Sequence, residues 1–354
     1  MRETAGMAER ETDEERVERR RKFLYMFQHF SANSRYPAPY TQFAGKPGAH
    51  IAEMGVHYDV LGYRNDRHAD TRPASETLRV FVVGDSTMVE GRTNPDTVPG
   101  LLEVMLRRTH GPGARVYNFG AISACLNQMT ALITMRLADL QPDVILVVGG
   151  ATDIFQPWSF DPRPGIPFNH FAHECLYDYL LDPEPAVLRA SEYSYEDMQE
   201  QIFNRLHNLR TLTQWQTDMW EWEVVRHFEL SLRRLARLSR AVDAPVRFAF
   251  QPVVVRKAKL VGAERSAASG EFLTYLTRQY DRFERVLRDL GEGPQHGPGF
   301  AACDMSRLFA DEPHEVFSDI VHYTLDGRER VAQALAGEVA AALSAVGAGA
   351  RAGA

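Results

Sequence analysis

Short apolar runs alternate with amphipathic stretches over most of the chain. Leu78–Val83 (LRVFVV) is rich in β-branched residues, and Gly84 ends it. The run is too short for a helix and too apolar for a half-exposed strand, so it predicts a fully buried strand. Asp143–Val148 (DVILVV), closed by Gly149-Gly150, reads the same way, and Arg115–Asn118, Val246–Gln251 (VRFAFQ) and Phe300–Asp304 read as further strands. Between them lie stretches with helical spacing. These are residues 98–108 with Pro99 at a helix start, 126–140 stopped by Pro142, and about 271–290. A loop FSDIVHYTLDG then leads into a final helix. No repeat of fixed period is present.

Strands alternating with helices predict an α/β fold, a parallel sheet of about five strands covered on both faces. In such sheets, ligands and reactive groups gather at the carboxyl ends of the strands. A long segment, 155–240, separates the third strand from the fourth. It opens Pro-rich and continues as helices, and it reads as an insertion or lid on a single domain spanning 23–345. Residues 23–77, rich in aromatics, Pro, Gly and His, read as an irregular lead-in. Residues 1–22 predict a charged helical arm, because Arg and Glu alternate there at ion-pairing distance. Residues 346–354 (VGAGARAGA) predict an unordered tail.

Composition narrows the picture in three places. Hydrophobic residues make up 44% and charged residues 25% of 354, which is ordinary for a globular protein. A formal charge of −7 disfavours a nucleic-acid partner, which needs a basic surface. Cys125, Cys175 and Cys303 are scattered, so neither a disulfide framework nor a cysteine zinc site is expected. No run approaches the 18 apolar residues of a membrane span. With no secretory leader pattern either, the expected location is cytoplasmic. Oligomeric state is left open.

The strand ends carry chemistry. Ser86 follows the first strand, Asn118, Gly120 and Ser123 the second, and Thr152 and Asp153 the third. Asp319 and His322 stand before the last helix. A serine hydroxyl is a weak nucleophile until a base, usually His oriented by a carboxylate, lies beside it. The alternative for Ser86 is an N-cap, which uses the same hydroxyl, and Asp319 could cap the last helix. His170, His173 and Glu174 lack the H-E-x-x-H order, and no metal is expected there. Trp215, Trp220 and Trp222 suit either a ligand groove or helix packing.

These residues fall into four blocks. VFVVGDSTMVEG, YNFGAISACLNQ, VVGGATDI and DIVHYTLDG resemble, in order, the four blocks of SGNH (GDSL-like) hydrolases. The resemblance spans residues 78 to about 340. It implies a three-layer α/β/α, flavodoxin-like fold, and a Ser86–His322–Asp319 triad that needs no cofactor. It also implies an oxyanion hole built from the Ser86 N–H and the second- and third-block positions, here Ser123 and Thr152. The family's usual residues at those two positions are Gly and Asn. Asp85, Gly120, Asp153, Arg163 and Arg256 are candidate substrate contacts, although Asp153 suits a structural hydrogen bond and Arg163 sits in a DPRPG stretch. Three functions fit such a chain. The first is hydrolysis of an O-acyl ester of a sugar or other small metabolite. The second is acyl transfer from the same acyl-enzyme. The third is ligand binding at a decayed site.

Overall fold

The computed structural model describes residues 12, 36–52, 55–181, 195–267, 270–292 and 299–352. The predicted arm over 1–22 therefore lies outside the described residues, except for Thr12.

The lead-in is more ordered than its composition suggests. It holds two antiparallel hairpins, β1 (Tyr36–Ala38) with β2 (Gln42–Ala44), and β3 (His50–Ile51) with β4 (Val56–His57). The five apolar runs then form β5 (Leu78–Gly84), β6 (Ala114–Gly120), β7 (Val144–Gly149), β8 (Val246–Phe250) and β9 (Phe300–Asp304). All five are parallel, in the order β6-β5-β7-β8-β9. β5, β7 and β8 are buried along their whole length, as the absence of polar alternation requires.

Among the described residues, ten α-helices connect and cover these strands: α1 (Ser86–Val89), α2 (Val98–His110), α3 (Leu126–Leu132), α4 (Ala151–Ser159), α5 (His170–Leu181), α6 (Tyr195–Leu212), α7 (Asp218–Leu238), α8 (Ala263–Ala267), α9 (Glu271–Glu292) and α10 (Leu325–Ala352). Alternate residues of the sheet serve opposite layers. Phe81, Val83, Ile145 and Phe248 pack with Met129 of α3, Phe228 of α7 and Phe283 of α9. Val80, Val82 and Leu146 pack with Leu102 of α2 and Leu335 of α10. The result is three layers, helices on both faces of the sheet. Each fully buried Leu or Phe contributes about 1.5–3 kcal/mol to holding the layers together.

Local chemistry sets the helix limits. The Thr97 hydroxyl accepts from the Gly100 N–H at the start of α2, where Pro99 occupies the first turn. Gly111, at φ 85°, ends it. Three expectations need correction. The helix expected over 126–140 is α3 followed by a π turn (Ile133–Leu137) and a 3-10 turn (Ala138–Leu140). The 155–240 segment is not one insertion: α7 is the crossover helix of the sheet, buried through Trp220, Val224, Phe228 and Leu232. Among the described residues, α5 and α6 pair apart from it, around Phe171, Cys175, Ile202 and Leu209. Finally, α10 continues to Ala352 through the segment expected to be unordered, because alanine is the strongest helix former and offsets the intervening glycines.

The strand order determines where a ligand can enter. From β5 the chain moves to β6 on one side and then returns to β7 on the other. The connections leaving β5 and β7 diverge at that reversal and open a crevice beyond the strand ends. Ser86 follows β5 and Thr152 follows β7, so both stand at its mouth.

Candidate active site

A tight turn joins β5 to α1. A Cβ on Gly84 would lie 2.4 Å from the Met88 side chain and 3.0 Å from the Val148 carbonyl, so only glycine fits. The cap of α1 is Asp85, not Ser86: the Asp85 carboxylate accepts from the Thr87 N–H at 3.0 Å and the Thr87 hydroxyl at 2.7 Å. With the cap supplied by its neighbour, the Ser86 hydroxyl lies 2.8 Å from His322 Nε2. His322 Nδ1 lies 2.7 Å from the Asp319 carboxylate. Asp319 also accepts from the backbone N–H groups of Val321 and His322, both at 2.8 Å, which fixes the loop carrying the imidazole.

Burial alone would lower the His322 pKa. The hydrogen bond that the ring donates to Asp319 and the charges of Asp319, Glu90 and Asp85 outweigh it and hold the imidazole above its ordinary value. Burial likewise pushes Asp319 up, but its bonds from His322 and Val321 win and bring it down to about 2. The carboxylate is thus charged and the imidazole basic, the arrangement that lets Nε2 take a proton from the Ser86 hydroxyl.

Ser86 and His322 open onto a cavity of about 260 Å³. Its polar wall includes Asp85, Ser123, Thr152, Gln156 and Asp319, and Phe155, Phe160, Ile320 and Val321 form an apolar wall. Asp85 and Asp319 are charged groups in this lining, and no Lys or Arg is among the described residues that form it.

The remaining candidate residues separate clearly. Ser123 lines the cavity with φ 62°. The Thr152 hydroxyl donates to Asp85 at 2.7 Å. A hydroxyl has one proton, so the side chain expected at the oxyanion position spends its donor on a carboxylate instead. Asp153 accepts from the Leu126 N–H at 3.2 Å. Burial first, and then the nearby Asp85 charge, push it up to about 7. It ties α4 to the start of α3. Gly120 donates to the Asn118 side chain at 2.8 Å and does not line the cavity.

Both candidate arginines are placed outside the cavity lining. Arg163 pairs with Asp161 at 2.6 Å and Glu174 at 2.8 Å. Arg256 pairs with Asp281 at 2.7 Å and Glu284 at 2.9 Å. Each guanidinium is neutralised by carboxylates of its own neighbourhood, and neither lines the cavity. Trp215 and Trp220 serve packing: their indole N–H groups donate to the Pro157 and Pro162 carbonyls, within a cluster that includes Trp158 and Tyr275. No described part of α5, α6 or α7 reaches the cavity. No cluster of His, Cys, Asp or Glu suited to a metal occurs among the described residues. Nor is any described helix long and apolar enough to cross a membrane.

Sequence reasoning missed two supports of the His322 loop. Glu90, four residues after Ser86, accepts from the Tyr323 N–H at 2.9 Å. Its spacing puts it on the Ser86 side of the turn, but nothing in the sequence points to a partner so far along the chain. Glu264 accepts from the Val316 and Phe317 N–H groups at 3.0 and 3.2 Å and pairs with fully buried Lys257 at 2.5 Å.

No protein-family model and no curated sequence matches the chain. Among solved structures, an α/β hydrolase enzyme from the metagenome of Lake Arreo, Spain, is 16% identical at a TM-score of 0.41, covering 77% of this chain and 96% of that one. An acetylxylan esterase from Geobacillus stearothermophilus is 12% identical at a TM-score of 0.41, covering 73% and 93%. A further acetyl xylan esterase is 12% identical at a TM-score of 0.42, covering 74% and 100%. Likenesses this distant decide nothing about the function of this chain.

Proposed function

We propose that the protein is a serine esterase of the SGNH kind, acting on small uncharged acyl esters through an acyl-enzyme on Ser86. The observation that carries this reading is the unbroken hydrogen-bonded chain Ser86–His322–Asp319 at the mouth of a cavity with one apolar wall.

In acylation, the Ser86 oxygen bonds to the ester carbonyl carbon while its proton moves to His322 Nε2. The carbonyl electron pair moves onto oxygen, where the Ser86 and Ser123 N–H groups face it. The intermediate collapses, the bond to the alcohol oxygen breaks, and His322 returns the proton to that oxygen. Water then repeats the sequence on the acyl-enzyme and releases the acid. Asp319 stays ionised and stabilises the imidazolium. The acyl group would lie against Phe155, Phe160, Ile320 and Val321. With Asp85 and Asp319 in the lining and both nearby arginines neutralised, an anionic acyl chain is disfavoured.

A fluorophosphonate probe, which reports an activated serine, is expected to label the native protein and not the Ser86→Ala protein. p-Nitrophenyl acetate and butyrate should then be turned over faster than the succinate monoester. An unlabelled native protein, folded by circular dichroism, would overturn the reading.

A further inference from the structure

One polar side chain in the cavity wall has no part in the reaction above. Gln156 lies on α4 one turn beyond Thr152 and is 2% exposed. Its Nε2 donates to the Ser123 carbonyl at 2.9 Å. Its Oε1 is buried and has no hydrogen-bond partner among the described residues. A carbonyl can only accept, so the amide nitrogen must face Ser123 and the oxygen must face away. That orientation leaves a buried acceptor unsatisfied, which costs stability.

Ser123 is the residue for which the tether matters. The Ala124 N–H bonds to the Ala121 carbonyl at 3.1 Å, closing a turn with Ser123 as its third residue. Ser123 has φ 62°. Positive φ at that position marks a type II turn and favours glycine, so a serine there is strained and needs external support. Gln156 supplies that support from another element. The spacing of α4 divides the work: Thr152 turns to Asp85, and Gln156, four residues on, reaches Ser123.

We propose that Gln156 is a positioning residue that holds the Ser123 peptide in its left-handed conformation, so that the Ser123 N–H stays aimed at the oxyanion. The inference rests on the acyl-enzyme reading. No bond to Gln156 forms or breaks. Its role is to make a serine do what the glycine of the resembled family does unaided.

Two variants test this. Gln156→Met keeps the volume and removes the donor. Gln156→Glu can donate to the Ser123 carbonyl only when protonated. The readouts are the rate of fluorophosphonate labelling at Ser86 across pH and a crystal structure of each protein. Gln156→Met is expected to slow labelling by about 10–100-fold, a misaimed rather than deleted donor, with Ser123 out of the left-handed region. For Gln156→Glu, the ratio of its rate to the native rate should rise as pH falls, a dependence that a packing defect would not produce.

Unchanged Ser123 geometry in the Gln156→Met crystal, with labelling within about twofold of native, would overturn the proposal. So would an unchanged labelling rate combined with a raised KM for hydroxyl-bearing esters, because Gln156 would then bind substrate through Oε1. If the native protein is not labelled at all, the acyl-enzyme reading fails, and the Ser123 conformation in the Gln156→Met crystal still decides the tether.

Discussion

Replacing Thr152 by valine deletes one hydroxyl and keeps the branched shape. In the native protein that hydroxyl donates at 2.7 Å to Asp85, a carboxylate only 1% exposed. Asp85 keeps its two bonds from Thr87, but its other oxygen is left facing a methyl group. A hydrogen bond to a buried charge is worth about 1.5–3 kcal/mol, so unfolding free energy in urea should fall by about that amount. The effect on chemistry should be smaller. Were the hydroxyl an oxyanion donor, its loss would slow acylation by about 10²–10³-fold. Because its proton is committed to Asp85, labelling of Ser86 by a fluorophosphonate should slow by less than about tenfold. Urea titration and labelling rate, measured on the same preparation, separate the two roles. Unchanged stability together with a rate loss of about 10²-fold or more would refute the assignment of Thr152 to Asp85.

Three further changes probe the surroundings. Glu90→Gln removes a negative charge that favours the imidazolium of His322, so the acid limb of the kcat/KM profile should move to lower pH; an unmoved limb would show that Glu90 is not felt at the ring. Glu264→Gln leaves Lys257 buried without its counter-charge, and stability in urea should drop by about 3–5 kcal/mol; a loss below about 1 kcal/mol would mean the pair is not the brace its contacts suggest. Asp153 holds its proton up to about pH 7 in the folded protein, whereas the unfolded carboxyl loses it near its ordinary value of 3.8. Folding therefore binds a proton between those values, and stability falls as pH rises across that window. In Asp153→Asn that slope should flatten, as read from urea midpoints between about pH 4 and pH 7.

β5 and β7 were legible because each is apolar almost throughout, a signature that needs no tertiary context. LRVFVV and VILVV bury every residue wherever their neighbours lie. The grouping of Ser86, His322 and Asp319 was legible only through block order, since the Ser86–His322 contact spans 236 positions. What escaped reading depended on partners that no local pattern encodes. Arg163 and Arg256 are candidate anion contacts in sequence, yet Glu174 and Glu284 reach them from α5 and α9. Thr152 looks like a weak substitute for asparagine until Asp85 is seen to take its proton. Gln156, between Phe155 and a mid-helix Pro157, belongs to no motif at all. The π turn at Ile133–Leu137 escaped for a related reason: its residues keep helical spacing, and the extra residue in the turn leaves no mark on composition.

The order of parts along the chain has a consequence for biosynthesis. Ser86 is made early, whereas the base and its carboxylate sit on the loop just before α10, after every strand of the sheet. α10 also covers one face of the sheet, together with α2, through Val331, Leu335 and Val339. A growing chain can therefore present the serine long before anything activates it. Docking of the last helix closes that face of the core, and the loop that brings His322 to Ser86 leads directly into it. On the acyl-enzyme reading, reactivity is tied to completion of the fold, and a chain that stalls or is clipped before residue 319 is expected to be inert rather than indiscriminate.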